Sequence, residues 1–426
     1  MKPIFVFLLA AGLVSPAWAA LPGADLPPEA QAVLALEQHP MVQAARATID
    51  IEKTQRTQLQ AGAHEFNFNA GLAQRNINSS PDSRFSEWEV GVSRTFRLPG
   101  KVRSDSALGD ARVKSAESAQ GEAMHEAGRD LLRTWFVWER EFAQVAEWDK
   151  QTNLLQAQVD AVTKRIKGGD AARVERLAAE AALAQAEAQR AQTTQRMRSA
   201  ANDLAARFPQ VLMPVIPQLG EPEVIPHDAA YWRDEIMEHN HELFALRAEA
   251  DRWRAEARRS EAGRTPDPEL RLRFANERGG EEKVFGVGIA LPLPGAARSA
   301  AARGALLQAE AMQAQVATTQ ARLQAEAANT YEAAAGAFAS WQANHAAEDN
   351  LIRSAELIAR AYQLGEGSLS EVLAARRLAQ EARLAARQAQ ADAQETHYRL
   401  LLDSHQLWPL EAGHAAGEAG HASSGR

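Results

Sequence analysis

The chain has 426 residues, no cysteine and a formal net charge of −8. The absence of cysteine excludes disulfide bonds, thiolate catalysis and lipid attachment to an N-terminal cysteine. The acidic balance, without a basic cluster that could follow phosphates, argues against a nucleic-acid partner.

The first 19 residues have the three parts of a cleaved export signal. Lys2 supplies the positive charge, residues 4–14 form a short apolar run, and residues 17–19 read Ala-Trp-Ala, a small-x-small cleavage site. We therefore predict a signal peptide over 1–19. No later run approaches the ~20 apolar residues that a spanning helix needs, so we expect export without an inner-membrane anchor.

The rest of the chain repeats itself at a separation of about 195 residues, which indicates duplication of one structural unit. A Leu-Pro-Gly turn and a later glycine-bearing turn occur once in each copy. The repeated positions are Leu98, Pro99 and Gly100 with Leu293, Pro294 and Gly295, and Gly169 with Gly365.

Each copy begins with an amphipathic helix, predicted over 31–63 and 228–263, and continues as a pair of alternating strands. The strand pairs, over 65–96 and 269–292, have one apolar face and one small or polar face, the pattern of transmembrane β-strands. Four half-buried strands of a soluble domain are the alternative. The alternating apolar residues are Phe66, Phe68, Leu72, Trp88, Val90 and Val92, then Leu270, Leu272, Phe274, Phe285, Val287 and Ile289.

Long helical hairpins follow the strands, over 101–207 and 296–407, because both intervals lack proline and are dominated by strong helix formers. One turn divides each hairpin, so its first arm would be ~100 Å long at 1.5 Å per residue. A soluble coiled coil is the alternative for these helices. The turn residues are Gly168, Gly169 and Asp170 in the first copy and Gly365, Glu366, Gly367 and Ser368 in the second.

A proline-rich stretch over 209–227 predicts a stiff, extended linker between the copies. It separates a first structural repeat, 20–208, from a second, 228–408. The tail over 409–426 is rich in Gly, Ala, Ser and Glu and lacks an apolar period, so we predict that it is disordered.

Four strands cannot close a barrel, and open sheet edges are not tolerated in lipid. The strands therefore predict an oligomer, and three copies would supply a 12-stranded barrel. The predicted fold class is mainly α with a transmembrane β-barrel, built from duplicated units of two strands and a long helical hairpin.

The sequence contains no Gly-rich phosphate loop before a helix, no His-Glu-x-x-His and no nucleophile elbow. We therefore predict no enzymatic activity and no cofactor. His239 and His241 lie two positions apart, so on one helix they would point to different sides. His414 and His421 lie in the tail without a recognised ligand spacing, so we predict no metal site.

The turns of the hairpins are the candidate interaction sites. Gly365, Gly367 and Ser368 leave little side chain, so a partner helix could approach closely, although helix reversal needs glycine in any case. Under threefold symmetry, Asp170 and Glu366 would each form a carboxylate ring that favours cations. They could instead be capping charges for the following helix, the interpretation we favour.

These features resemble the TolC-like outer-membrane factors of tripartite efflux and type I secretion. The resemblance rests on the duplicated order of elements, the Leu-Pro-Gly turns and a tip motif, aromatic-x-x-Gly-x-x-Ser-x-x-acidic-Val-Leu-x-Ala. The matching residues are Tyr362, Gly365, Ser368, Glu371, Val372, Leu373 and Ala375. The first copy departs from this motif at Ile166, Ala172 and Arg176.

The resemblance implies a homotrimer in the outer membrane of a Gram-negative bacterium, with a 12-stranded barrel in the lipid and an α-helical barrel in the periplasm. The helical tips would contact a periplasmic adaptor (membrane fusion) protein, which joins the tube to an inner-membrane pump of the RND type. The implied function is passive conduction of solute in efflux.

Leu98 to Lys101 also resembles the heavy-metal branch, the outer-membrane components of cobalt-zinc-cadmium and copper exporters, which favours heavy-metal cations as solute. Drug efflux and type I protein secretion remain alternatives. A periplasmic coiled-coil adaptor is the alternative from a different class, but an adaptor would have one helical hairpin and this chain has two.

Overall fold

The computed structural model describes residues 25–78 and 83–409, in which two short helices, two strands and two long helices occur in the same order twice. The first set is α1 (Glu29–Gln38), α2 (Pro40–Ala61), β1 (Asn67–Ile77), β2 (Ser83–Thr95), α3 (Pro99–Lys167) and α4 (Arg173–Arg207). The second set is α5 (Ala229–Glu238), α6 (His241–Ala262), β3 (Glu269–Glu277), β4 (Glu282–Ala290), α7 (Ala296–Gln363) and α8 (Leu369–Asp403). The predicted signal peptide and the tail beyond Pro409 lie outside the described residues.

Each short amphipathic segment is two helices, where the sequence analysis expected one. The first break falls at His39, whose ψ of 135° is extended because the residue before a proline avoids the helical region. Pro40 then begins α2, where its missing N–H costs nothing. In the second copy the break falls at His239, and the Asn240 side chain caps α6 by accepting from the Leu243 N–H at 2.7 Å.

Two ends of the long helices also differ from expectation. Helix α3 begins at Pro99, before the predicted start at 101, because proline is favoured in the first turn. Helix α8 ends at Asp403 instead of near Leu407, since the chain turns at His405 with a φ of 59°. This turn brings Leu407 into the apolar core, where it is 7% exposed.

The four strands form one antiparallel sheet in the order β1-β2-β3-β4, and one face of it is apolar. Two adjacent rows across the sheet consist of Ala70, Val90, Phe274 and Phe285, and of Phe68, Val92, Leu272 and Val287. Most of this face is uncovered: Phe68 is 70% exposed and Val287 is 63% exposed. An exposed apolar surface of this kind marks contact with a membrane or a partner.

The opposite face of the sheet carries glycine and ion pairs. Arg75 contacts Glu87 at 2.9 Å and Glu277 at 3.0 Å, and Arg273 contacts Glu89 at 2.7 Å. In the described part of the chain β1 pairs only with β2 and β4 only with β3, so both outer edges of the sheet lack a partner strand. The sheet therefore has a polar side, an apolar side and two open edges.

The largest apolar cluster surrounds the middle of α3, where α1, the start of α2 and the ends of α4 and α8 pack against it. Trp135 and Trp138, which are 2% and 3% exposed, lie within this cluster. Below it, the long helices pack in pairs, α3 with α4 and α7 with α8. None of the helices among the described residues is both long and apolar enough to cross a bilayer.

One carboxylate beside this cluster is buried without a hydrogen-bond partner. Glu139 is 2% exposed, and neither of its oxygens is hydrogen-bonded within the described residues. Burial, together with the charge of Asp25, raises the pKa of Glu139 from 4.5 to about 9. Between pH 4.5 and about 9, Glu139 keeps its proton in the folded protein and loses it in the unfolded chain. This residue therefore makes the free energy of unfolding fall as pH rises.

Glu139→Gln is therefore expected to be more stable than the wild type, with a difference that grows from pH 5 to pH 8 by up to ~1.4 kcal/mol per pH unit. Thermal unfolding of the detergent-solubilised protein at both pH values, followed by circular dichroism, measures this difference. Glu141→Gln is the control, because Glu141 lies on the same helix but is paired with Arg196 at 2.9 Å. A stability difference between Glu139→Gln and the wild type that stays constant with pH would contradict the raised pKa of Glu139.

Candidate functional site

The turn between α3 and α4 reverses the chain at Gly169, which has a φ of 80°. The Asp170 N–H donates to the Arg165 carbonyl at 2.9 Å, which closes the end of α3 in the manner of a Schellman motif. The Asp170 carboxylate accepts from Arg165 Nε at 2.9 Å, and the residue that caps α4 is Ala172. Asp170 is therefore not the N-cap residue of α4, and its carboxylate is paired with Arg165 on the preceding helix.

The turn between α7 and α8 ends its first helix in the same way and has a stronger cap. Gly365 has a φ of 89°, and the Glu366 N–H donates to the Ala361 carbonyl at 2.9 Å. Ser368 caps α8 in a reciprocal pair: its N–H donates to Glu371 Oε2 at 2.8 Å, and the Glu371 N–H donates to Ser368 Oγ at 3.3 Å. Glu366 is not the capping residue.

The two turns lie side by side and form one composite tip. Tyr362 Oη on α7 donates to Glu175 Oε2 on α4 at 2.7 Å, and the Arg165 guanidinium lies 4.9 Å from the centre of the Tyr362 ring. Val162 and Leu369 pack in the small apolar cluster beneath them. Burial and the bond to Glu175 raise the pKa of Tyr362 to about 12, so it remains a hydrogen-bond donor at neutral pH.

A cleft of about 420 Å³ lies between the two halves of this tip. Gln158 and Arg165 line it from α3, Tyr362 from α7 and Arg376 from α8. Sequence reasoning identified Tyr362 and the glycines but missed Gln158 and Arg376, because they lie outside the turns and the motif. The turn residues Gly168, Gly169, Asp170, Gly365, Glu366, Gly367 and Ser368 are brought together at this end of the protomer.

The Leu-Pro-Gly turns lie at the other end of the long helices, below the sheet. Leu98 precedes α3, and its N–H donates to Asp267 Oδ1 at 3.1 Å, while Lys101 Nζ contacts Asp267 Oδ2 at 2.9 Å. These contacts join the first helical hairpin to the strands of the second copy. The second turn is placed differently: Pro99 is inside α3, whereas Pro294 lies before α7 and Gly295 is its cap.

The histidines are arranged differently from the sequence expectation. His239 follows the last residue of α5 and His241 begins α6, so they do not share a helix. Both rings pack on His405, at centroid distances of 5.3 and 4.6 Å. His414 and His421 lie outside the described residues. Within residues 25–78 and 83–409, no group of three or more His, Asp or Glu side chains is placed to hold a metal ion.

No protein-family model matches the sequence, and no curated protein matches it either. Solved structures do match its shape. The outer membrane channel CmeC of Campylobacter jejuni matches with a TM-score of 0.73 and 12% identity, over 90% of this chain and 86% of the channel. The chain has the same fold as this channel. The outer membrane protein VceC of Vibrio cholerae matches with a TM-score of 0.71 and 17% identity, over 88% of this chain and 95% of VceC.

The open state of the outer membrane channel MtrE of Neisseria gonorrhoeae gives a TM-score of 0.64 at 17% identity, over 88% of each chain. These matches each cover 88–90% of this chain. The predicted mainly helical fold with two long helical hairpins is therefore confirmed, whereas the 12-stranded barrel stays a prediction, because one chain has a four-stranded sheet in its described part.

Proposed function

We propose that this chain is one protomer of a homotrimeric outer-membrane channel that conducts solute passively out of the cell. The observation that carries the proposal is the sheet with one exposed apolar face, joined to two helical hairpins whose first arms contain 69 and 68 residues. The fold shared with the solved channels supports it. Conduction needs no catalytic residue and no cofactor, so the protein would not be an enzyme.

The trimer follows from the sheet edges. Backbone groups at the edges of β1 and β4 need partners in lipid, and three copies joined edge to edge would supply 12 strands. The apolar face would then contact lipid, and the polar face, with its ion pairs around Arg75 and Arg273, would line the lumen. The helices would extend from the outer membrane of a Gram-negative cell into the periplasm.

The composite tip would be the docking site for a periplasmic adaptor protein, which would connect the channel to an inner-membrane RND-type pump. Gly365 supports this role, because a Cβ at that position would meet no atom within 4 Å and the tip surface there is open. The pump would supply the energy, while the channel shields the solute from the periplasm.

Heavy-metal cations are the favoured solute, on the resemblance around Leu98 to Lys101. The experiment compares a deletion strain with its complemented partner on zinc, cobalt, cadmium, copper and nickel, alongside a panel of lipophilic drugs. Lower inhibitory concentrations of one or more metals in the deletion strain are expected. If the deletion strain is sensitive to drugs alone, the exported solute is a drug and the metal assignment is wrong. Unchanged growth on both panels would contradict the efflux function.

A further inference from the structure

The cleft in the composite tip contains a positive charge without an acidic partner. Arg376 lines this cleft, is mostly buried, and its guanidinium donates one hydrogen bond, to Gln158 Oε1 at 2.9 Å. Among the described residues no carboxylate forms an ion pair with it, and burial alone shifts its pKa downward. Burying an unpaired charge is costly, so such a group is normally matched by a counter-charge.

The acid that lines the cleft, Asp170, and the acid that contacts its Tyr362, Glu175, are already engaged. Asp170 pairs with Arg165 at 2.9 Å, and Glu175 accepts from the Tyr362 hydroxyl at 2.7 Å. The neighbouring arginine shows the ordinary situation: Arg377 is exposed and lies 3.7 Å from Glu381 on its own helix. Arg376 therefore differs from the exposed cationic residues of the tip, because it is mostly buried in the cleft and forms no ion pair within the described chain.

The size of the cleft limits what can enter it. Its volume of about 420 Å³ accommodates side chains, whereas a helix with its side chains is roughly 10–12 Å across. Gly365 lines the cleft and leaves open space where a side chain would begin, and the adjacent Leu364 is 67% exposed. Arg376 lies ~10 Å along α8 from its first residue. It lines the same cleft as Gly365, so a carboxylate that enters the cleft beside Gly365 approaches its side chain.

We propose that this cleft receives an acidic side chain, Glu or Asp, from the periplasmic protein that docks on the tip, and that Arg376 is its counter-charge. The inference rests on the proposed function, since it names the chemistry of the partner at that docking site. A carboxylate entering the cleft would form a charge-assisted hydrogen bond with the guanidinium. The exposed Leu364 would contact the apolar part of the same partner surface.

The test complements the deletion strain with Arg376→Gln, Arg376→Glu and Arg376→Lys, using Arg377→Gln as the matched control. Arg376→Gln is expected to lower the inhibitory concentration of the exported solute roughly fourfold or more, and Arg376→Glu further, because the buried partner charge loses its match. Arg376→Lys should retain part of the function, and Arg377→Gln all of it. Unheated gel electrophoresis reports whether each variant still forms trimers.

Suppressors of Arg376→Glu, selected on the exported solute, then identify the partner charge. The expected suppressors replace an Asp or Glu codon of the periplasmic partner with a basic residue. Wild-type efflux from Arg376→Gln, or suppressors confined to this chain, would overturn the inference. Loss of trimers in Arg376→Gln but not in Arg377→Gln would also overturn it, by showing that Arg376 contributes to assembly of the channel. Failure of the wild-type gene itself to restore efflux would instead contradict the proposed function.

Discussion

Gly365→Trp is expected to abolish efflux while the protein still folds and assembles. A Cβ at position 365 meets no atom within 4 Å, so the indole would project from the tip into the space that a docking partner needs. The φ of 89° also disfavours a side chain, at a cost of ~1–3 kcal/mol that is confined to the turn. Growth of the complemented deletion strain on the exported solute measures efflux, and unheated gel electrophoresis measures trimer formation.

Gly365→Ala separates the two effects, because alanine carries the same backbone strain without the bulk. We expect the alanine variant to keep most of its efflux activity. Equal losses in both variants would assign the defect to the backbone of the turn, and normal efflux from Gly365→Trp would remove the tip from the docking interface. A tryptophan variant that lost its trimers would show that Gly365 contributes to assembly instead.

The fold class could be predicted because it depends on local patterns that repeat. Alternation such as Phe68, Asn69 and Ala70 fixes which face of a strand is apolar, since a shift of one residue would invert the face. Long proline-free runs of strong helix formers predict long helices for an equally local reason. The duplication strengthens both inferences, because the same order of patterns occurs twice.

The arrangement of the tip could not be predicted in the same way. Tyr362 and Glu175 are separated by 187 positions, and their hydrogen bond depends on how the two hairpins pack. Asp170 illustrates the same limit: its position before α4 suggested a cap, but Arg165 on the preceding helix is the nearer partner. Arg376 carries no sequence signal, because an unpaired charge is defined by what surrounds it in space.

Unlike the arrangement of the tip, the helix break at His39 could have been predicted, because its signal was present in the sequence. A proline disfavours the helical region at the residue before it, so Pro40 marks a helix boundary. The amphipathic period continues through this position and suggested a single helix. The backbone restriction prevailed because it acts directly on His39, whereas the apolar period is satisfied equally by two short helices.

Val287→Arg is expected to prevent stable insertion into the outer membrane. Val287 pairs with Leu272 in the apolar face of the sheet and is 63% exposed. An arginine on the lipid face of a barrel costs ~2–4 kcal/mol near the bilayer midplane, and a trimer would carry this cost in every copy. Fractionation of membranes, with detection of the trimer on unheated gels, measures the expected loss.

Gly288→Arg is the matched control, because it places the same charge one residue along β4, on the polar face. A Cβ at Gly288 meets no atom within 4 Å, so the new side chain has room. Its cross-strand partner Arg271 carries the same charge, but Arg271 is already paired with Glu269 at 2.9 Å. We expect this variant to insert like the wild type. Equal insertion of both variants would show that the apolar face does not contact lipid, which would favour the soluble-sheet alternative. Failure of Gly288→Arg alone would show that the other face is the one in the membrane.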